Sequence, residues 1–155
     1  MKKILVLYYH TSFILRSSQK DHLEAFRKYK DNNYVVYHNL AAFSLSKMVC
    51  SIEWDIIVFH WSLDSLRFNR KRFQIITSKN DKQFKSLIGL KLYMPQDEFI
   101  HLDLLNSFIE NYNIKIVLTV SPISEIHKLY PKVDFKKVTF IKILTGYLDD
   151  NFAIK

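Results

Sequence analysis

Two histidines stand where apolar runs end: His10 closes Ile4–Tyr9, and His60, followed by Trp61, closes Ile56–Phe59. A third run, Leu90–Met94, passes through Pro95 into Gln96, Asp97 and Glu98, with His101 three residues on. A carboxylate and an imidazole near one crevice can exchange protons as general acid and base. Polar groups beside an aromatic ring can hold sugar hydroxyls while the ring stacks on the apolar face of the sugar. His10 and Glu98 are therefore the candidate catalytic groups, and His60, Trp61, Gln96, Asp97 and His101 the candidate binding groups. Thr11 and Arg16 join them from the connection after the first run. That connection, from His10 to Ser17, is about eight residues, longer than the usual two to six, and extra length beside a ligand crevice commonly serves the ligand.

Each candidate has a structural alternative. Asp97 and Glu98 would suit the start of a helix, where acidic side chains favour the macrodipole by roughly 0.3–1 kcal/mol. On a helix over Glu98–Tyr112, Glu98, His101 and Leu105 share one face, so His101 reads first as a packing or hydrogen-bonding residue of an apolar stripe. No metal site is expected: His10, His60 and Asp97 could converge, but no H-x-x-x-H or C-x-x-C spacing supports zinc.

The elements that must position these groups follow from periodicity. Lys3–Tyr9, Tyr34–His38, Asp55–His60, Leu90–Met94, Lys115–Val120 and Thr139–Leu144 read as strands. Gln19–Tyr29, Leu45–Ser51, Arg70–Ser78, Glu98–Tyr112 and Ser124–Tyr130 read as amphipathic helices, the first with Ser18 and Asp21 at capping-box spacing. Alternating strand and helix implies right-handed crossovers and an α/β fold: a three-layer, doubly wound, mainly parallel Rossmann-like sheet of about six strands. Near-continuous apolarity puts the first and third strands at the centre, and mixed polarity puts Tyr34–His38 further out. If the first, third and fourth strands are neighbours, His10, His60 and Gln96 meet at the carboxyl edge, where such sheets bind ligands.

At 155 residues and 48% hydrophobic, the chain suits a single domain over residues 1–155. Gly89 and Gly146 are its only glycines, so neither G-x-G-x-x-G nor a Walker A loop, both of which need glycine for backbone to approach phosphate, can be built. A receiver domain fails because Tyr8-Tyr9-His10-Thr11 stands where its acidic cluster would follow the first strand. Met1-Lys2-Lys3 before Ile4–Tyr9 reads as the start of a buried strand, since His10 interrupts a signal-like run and no cleavage site follows. One cysteine, Cys50, excludes an internal disulfide and favours the cytoplasm. The formal charge of +8 argues for an anionic partner, but most of it comes from scattered lysines that suit a solvated surface, and the densest basic cluster, Arg67–Arg72, interleaved with Phe68 and Phe73, reads first as a solvated helix start beside a loop. No nucleic-acid module accompanies that cluster, so nucleic acid ranks below an anionic membrane surface.

Taken together, Lys3-Ile4-Leu5-Val6-Leu7-Tyr8-Tyr9-His10, Asp21-His22-Leu23, Trp54–His60, Pro95-Gln96-Asp97-Glu98 and Leu144-Thr145-Gly146-Tyr147 resemble the N-terminal half of bacterial glycosyltransferase-like proteins of the GT-B type. The resemblance implies a Rossmann-like domain facing a second one across a cleft, in cell-surface polysaccharide synthesis, with Thr145 added to the binding groups. It implies a saccharide or lipid-linked saccharide acceptor on this side, peripheral contact with the inner membrane face, and no cofactor in this chain. The nucleotide-sugar donor would be held by a C-terminal domain beyond these residues, so activity of this chain alone is not expected. The alternative is a Rossmann-like or flavodoxin-like binding or regulatory module without a reaction.

Overall fold

A computed structural model describes residues 1–12, 17–28 and 33–143. Six strands form one sheet: β1 (Lys3–Tyr8), β2 (Tyr34–Asn39), β3 (Glu53–Phe59), β4 (Ile88–Tyr93), β5 (Ile116–Thr119) and β6 (Thr139–Lys142). Their order is β2-β1-β3-β4-β5-β6, and every pairing is parallel. The α/β class, the parallel sheet and the strand number agree with the sequence reading. β1 and β3 lie inside the sheet and β2 at one edge, as their polarity patterns required.

The helices are α1 (Ser17–Lys28), α2 (Lys47–Cys50), α3 (Trp61–Asp64), α4 (Arg70–Lys79), α5 (Asp81–Ser86), α6 (Leu102–Asn111) and α7 (Ile126–Leu129). A 3-10 turn over Ser65–Phe68 links α3 to α4. Alternation along the strands splits the apolar residues into two cores. Leu5, Leu7, Ile57, Phe59, Tyr93 and Val117 pack on side chains from the α2–α7 side, where Phe59 meets Phe84 and Phe108 edge-on at 5.2 Å each. Ile4, Val6, Val35, Val58 and Met94 face the other way, onto Leu23 and Phe26 of α1. Three layers result, and each fully buried aliphatic or aromatic side chain contributes roughly 1.5–3 kcal/mol. Among the described residues no helix is long and apolar enough to cross a membrane.

Three expectations need correction. The helix expected from Glu98 starts only at Leu102, because Asp97 and His101 adopt left-handed backbone, φ 45° and 47°, which breaks the helical repeat. Glu98 and His101 therefore do not share a helical face. Ser18 lies inside α1, which begins at Ser17, and so is not its cap. Helices α3 and α5 were not anticipated, since segments of four and six residues are too short to show a period.

Candidate functional site

The order 2-1-3-4-5 places a topological switch point between β1 and β3, where connections diverge to opposite sides and leave a crevice at the carboxyl ends. The ladders run out to that edge in step. His60 N–H donates to the Leu7 carbonyl at 2.9 Å and Met94 N–H to the Phe59 carbonyl at 3.0 Å. The residues that follow β1, β3 and β4 thus emerge level with one another.

His60 leaves β3 in extended backbone, φ −72° and ψ 150°, and caps α3 by accepting the Ser62 N–H on Nδ1 at 3.2 Å. The Ser62 hydroxyl lies 2.9 Å from the same Nδ1 and accepts the Tyr9 N–H at 3.3 Å. On the other edge of the ring, His60 Nε2 is 2.9 Å from Nδ1 of His22 on α1. Burial disfavours charge on both rings: it lowers the His22 pKa, and it lowers that of His60 well below 6.5, with repulsion from His22 adding to the effect.

In front of this pair lies a small cleft of about 30 Å³, with Met94, Pro95, Val120 and Ile143 as apolar walls. Its other lining residues are His22, Trp61 and Gln96. Trp61 is 6.3 Å from His22 and 5.1 Å from His60, ring to ring, so the indole is fixed by both imidazoles.

The Pro95–Glu98 loop is held from two sides. Asp64, itself buried, accepts the Gln96 N–H at 2.9 Å, Arg67 Nε at 3.0 Å and Nη2 at 3.1 Å, and the Tyr93 hydroxyl. Arg67 Nη2 also donates to the carbonyls of Gln96 at 2.8 Å and Asp97 at 3.4 Å. Arg67 Nη1 is buried without a hydrogen-bond partner among the described residues. Burial opposes charge on Arg67, but the Asp64 carboxylate outweighs it and the pKa is raised. On the other side Glu98 accepts Thr119 Oγ1 at 2.8 Å, Val120 N–H at 2.8 Å, Ser121 N–H at 3.2 Å and the Tyr130 hydroxyl. Burial, then the neighbouring carboxylates, pushes the Tyr93 and Tyr130 phenols up, so both remain protonated donors. With its backbone held at both ends, the loop presents a half-buried Gln96 at the cleft and an exposed Asp97 beside it.

The sequence candidates divide accordingly. Trp61 and Gln96 line the cleft, and His60 stands fully buried behind His22. Glu98 is also buried, and its oxygens are occupied by four donor groups, the work of a structural anchor. His10 has its backbone tied to the Asn39 side chain at 3.0 and 2.8 Å, towards β2, and Thr11 is exposed next to it. His101 Nδ1 lies 3.4 Å from Arg70, which forms a two-pronged pair with Asp103 at 2.6 and 2.7 Å. Arg16 and Thr145, with the rest of the Leu144–Tyr147 motif, lie outside the described residues.

The basic cluster is less uniform than its composition: Arg67 is buried, Arg70 is paired, and Arg72 donates to the Tyr9 hydroxyl at 2.9 Å while covering its ring. Three residues that build this region were not among the sequence candidates: His22, Asp64 and Arg67. Helical spacing could have found His22, because Gln19, Leu23 and Phe26 share its inward face. Among the described residues no group of three or more His, Cys, Asp or Glu side chains is arranged to hold a metal. Comparison with models of known families, with curated proteins and with solved structures finds no match for this chain.

Proposed function

We propose that this chain is the acceptor-side domain of a bacterial glycosyltransferase-like protein of the GT-B type, serving cell-surface polysaccharide synthesis. The observation that carries the reading is the carboxyl-edge cleft, in which an indole, an imidazole and a carboxamide border a partly apolar recess that has no charged side chain among the described residues. That combination suits a sugar ring, whose C–H face stacks on Trp61 while its hydroxyls meet His22 and Gln96. The recess itself is small, about 30 Å³, so on this reading the sugar rests across its mouth and a second domain completes the site. On this reading the nucleotide-sugar donor binds that second domain, this chain carries no cofactor, and the acceptor is a saccharide or lipid-linked saccharide.

Peripheral contact with the inner face of the membrane belongs to the same proposal. Phe68 and Phe99 are 46% and 70% exposed on segments bridged by the Arg70–Asp103 pair, with exposed Lys71 and Arg72 alongside. Aromatic tips flanked by cations suit an anionic lipid surface. Vesicles containing anionic lipid should recruit the protein at low salt better than neutral vesicles, and equal recruitment would remove this part of the proposal.

A second reading, a binding module without a reaction, draws support from Glu98 and His60, whose polar atoms are engaged internally. Thermal unfolding of the longest native form, titrated separately with nucleotide-sugars and with methyl glycosides, distinguishes the two, since a ligand that binds only the folded state must raise Tm. The transferase requires a rise with both ligand classes. A rise with glycosides alone selects the binding module, and no rise with either removes the saccharide reading.

A further inference from the structure

We infer that His22 is the ligand-facing hydrogen-bond donor of the cleft, locked in its Nε2–H tautomer by a chain running through Ser62 and His60, and that it donates to an oxygen of a neutral sugar ring stacked on Trp61. The ligand class rests on the proposed function; the tautomer rests on geometry alone.

A backbone N–H can only donate. Because the Ser62 N–H donates to His60 Nδ1 at 3.2 Å, that nitrogen carries no proton. The Ser62 hydroxyl accepts the Tyr9 N–H and has its own proton free to give to the same Nδ1, 2.9 Å away. Neutral His60 therefore carries its proton on Nε2 and gives it to His22 Nδ1 across 2.9 Å. His22 Nδ1 being an acceptor, its proton sits on Nε2. That nitrogen points away from His60, on a ring that lines the cleft, and among the described residues nothing accepts from it.

The chain excludes the other obvious role. To take a proton from a ligand hydroxyl, His22 Nε2 would have to be bare, with Nδ1 protonated and donating to His60. His60 would then have to protonate Nδ1, directly against the fixed Ser62 N–H. The same conflict opposes an added proton on either ring, in line with the lowered pKa values of both. Among the described residues the cleft lining contains no Lys, Arg, Asp or Glu, so none of them offers a phosphate or carboxylate a countercharge. A neutral oxygen acceptor fits.

The test combines histidine nitrogen NMR with binding of methyl glycosides of glucose, galactose and mannose, followed at the Trp61 indole. In the ligand-free protein at pH 7.5, both His22 and His60 should show the Nε2–H pattern; an Nδ1–H pattern at His22 overturns the inference. His22→Ala should weaken glycoside binding about tenfold, the worth of one neutral hydrogen bond. His22→Gln, which keeps an N–H near the same place, should restore most of it. Should His22→Ala bind as tightly as the native protein, the inference fails and the saccharide reading stands. If no glycoside binds the native protein while the tautomers are as described, the saccharide reading fails and takes the ligand assignment with it. Ser62→Ala removes only one of the two donors to His60 Nδ1, so the tautomer pattern should survive it.

Discussion

Glu98 and Tyr130, 32 residues apart, meet in a buried hydrogen bond in which the phenol donates to the carboxylate. The bond ties the Pro95–Glu98 loop to the segment after α7, while Thr119, Val120 and Ser121 tie the same carboxylate to the end of β5. Glu98→Gln keeps the size but replaces one acceptor oxygen by a donor amide among groups that themselves donate. It should lower unfolding free energy by about 3 kcal/mol in urea denaturation, the scale for a buried charged acceptor left mismatched. If Glu98 instead serves as a proton acceptor for ligand, stability will hardly change and turnover of the longest native form will collapse.

Asp64 and Arg67 pair at 3.0 Å with both side chains 1% exposed. Removing one partner strands the other charge, so Arg67→Met should cost roughly 3–5 kcal/mol, whereas Asp64→Asn combined with Arg67→Met should cost less than the sum of the two single changes. Arg67 also donates to the Gln96 carbonyl. Faster amide exchange around Gln96 in the single variant would register the loosened loop, and strict additivity in the double variant would show that the pair is not a unit.

The sheet was legible in the sequence because buried parallel strands leave unbroken apolar runs, as in Ile4–Leu7 and Ile57–Phe59. The carboxyl edge was legible because strand ends can be counted, which brought Trp61, Gln96 and His60 to one place. What could not be read depends on contacts between distant segments. Arg67 looks like part of a solvated basic run until Asp64, on a helix too short to show a period, takes its charge inside. Glu98 looks like a helix N-terminal acid until the left-handed backbone of Asp97 and His101 separates it from α6. His22 is readable from helical spacing as an inward residue, but its partner His60, just beyond β3, is 38 residues away, and neither position alone shows that two rings meet.

The histidine pair gives stability a defined pH dependence. Both folded pKa values lie below the ordinary 6.5, chiefly through burial. Between the folded and unfolded values the unfolded chain binds more protons, so stability rises with pH there. The contribution is fully present above about 6.5 and is lost as pH falls through the folded pKa values. Urea midpoints at pH 7.5 and pH 5 should differ in this direction, and His22→Gln, which removes one of the two rings, should reduce the difference. An unchanged difference would assign the pH dependence to other groups.

Gly89 explains how β4 can lie so close to β3 where their register shifts between Glu53 and Ile56. Its φ of +145° is open to glycine and strained for other residues, and a Cβ there would sit 2.3 Å from the Trp54 carbonyl oxygen. That oxygen is backbone of the neighbouring strand, so relief requires moving the strand rather than turning a side chain. Gly89→Ala should therefore destabilise by about 3 kcal/mol, combining backbone strain with steric displacement. Because the position lies at the amino end of β4, away from the cleft, any protein that still folds should bind glycosides with native affinity. A variant as stable as the native chain would mean that β3 and β4 are not held at this spacing.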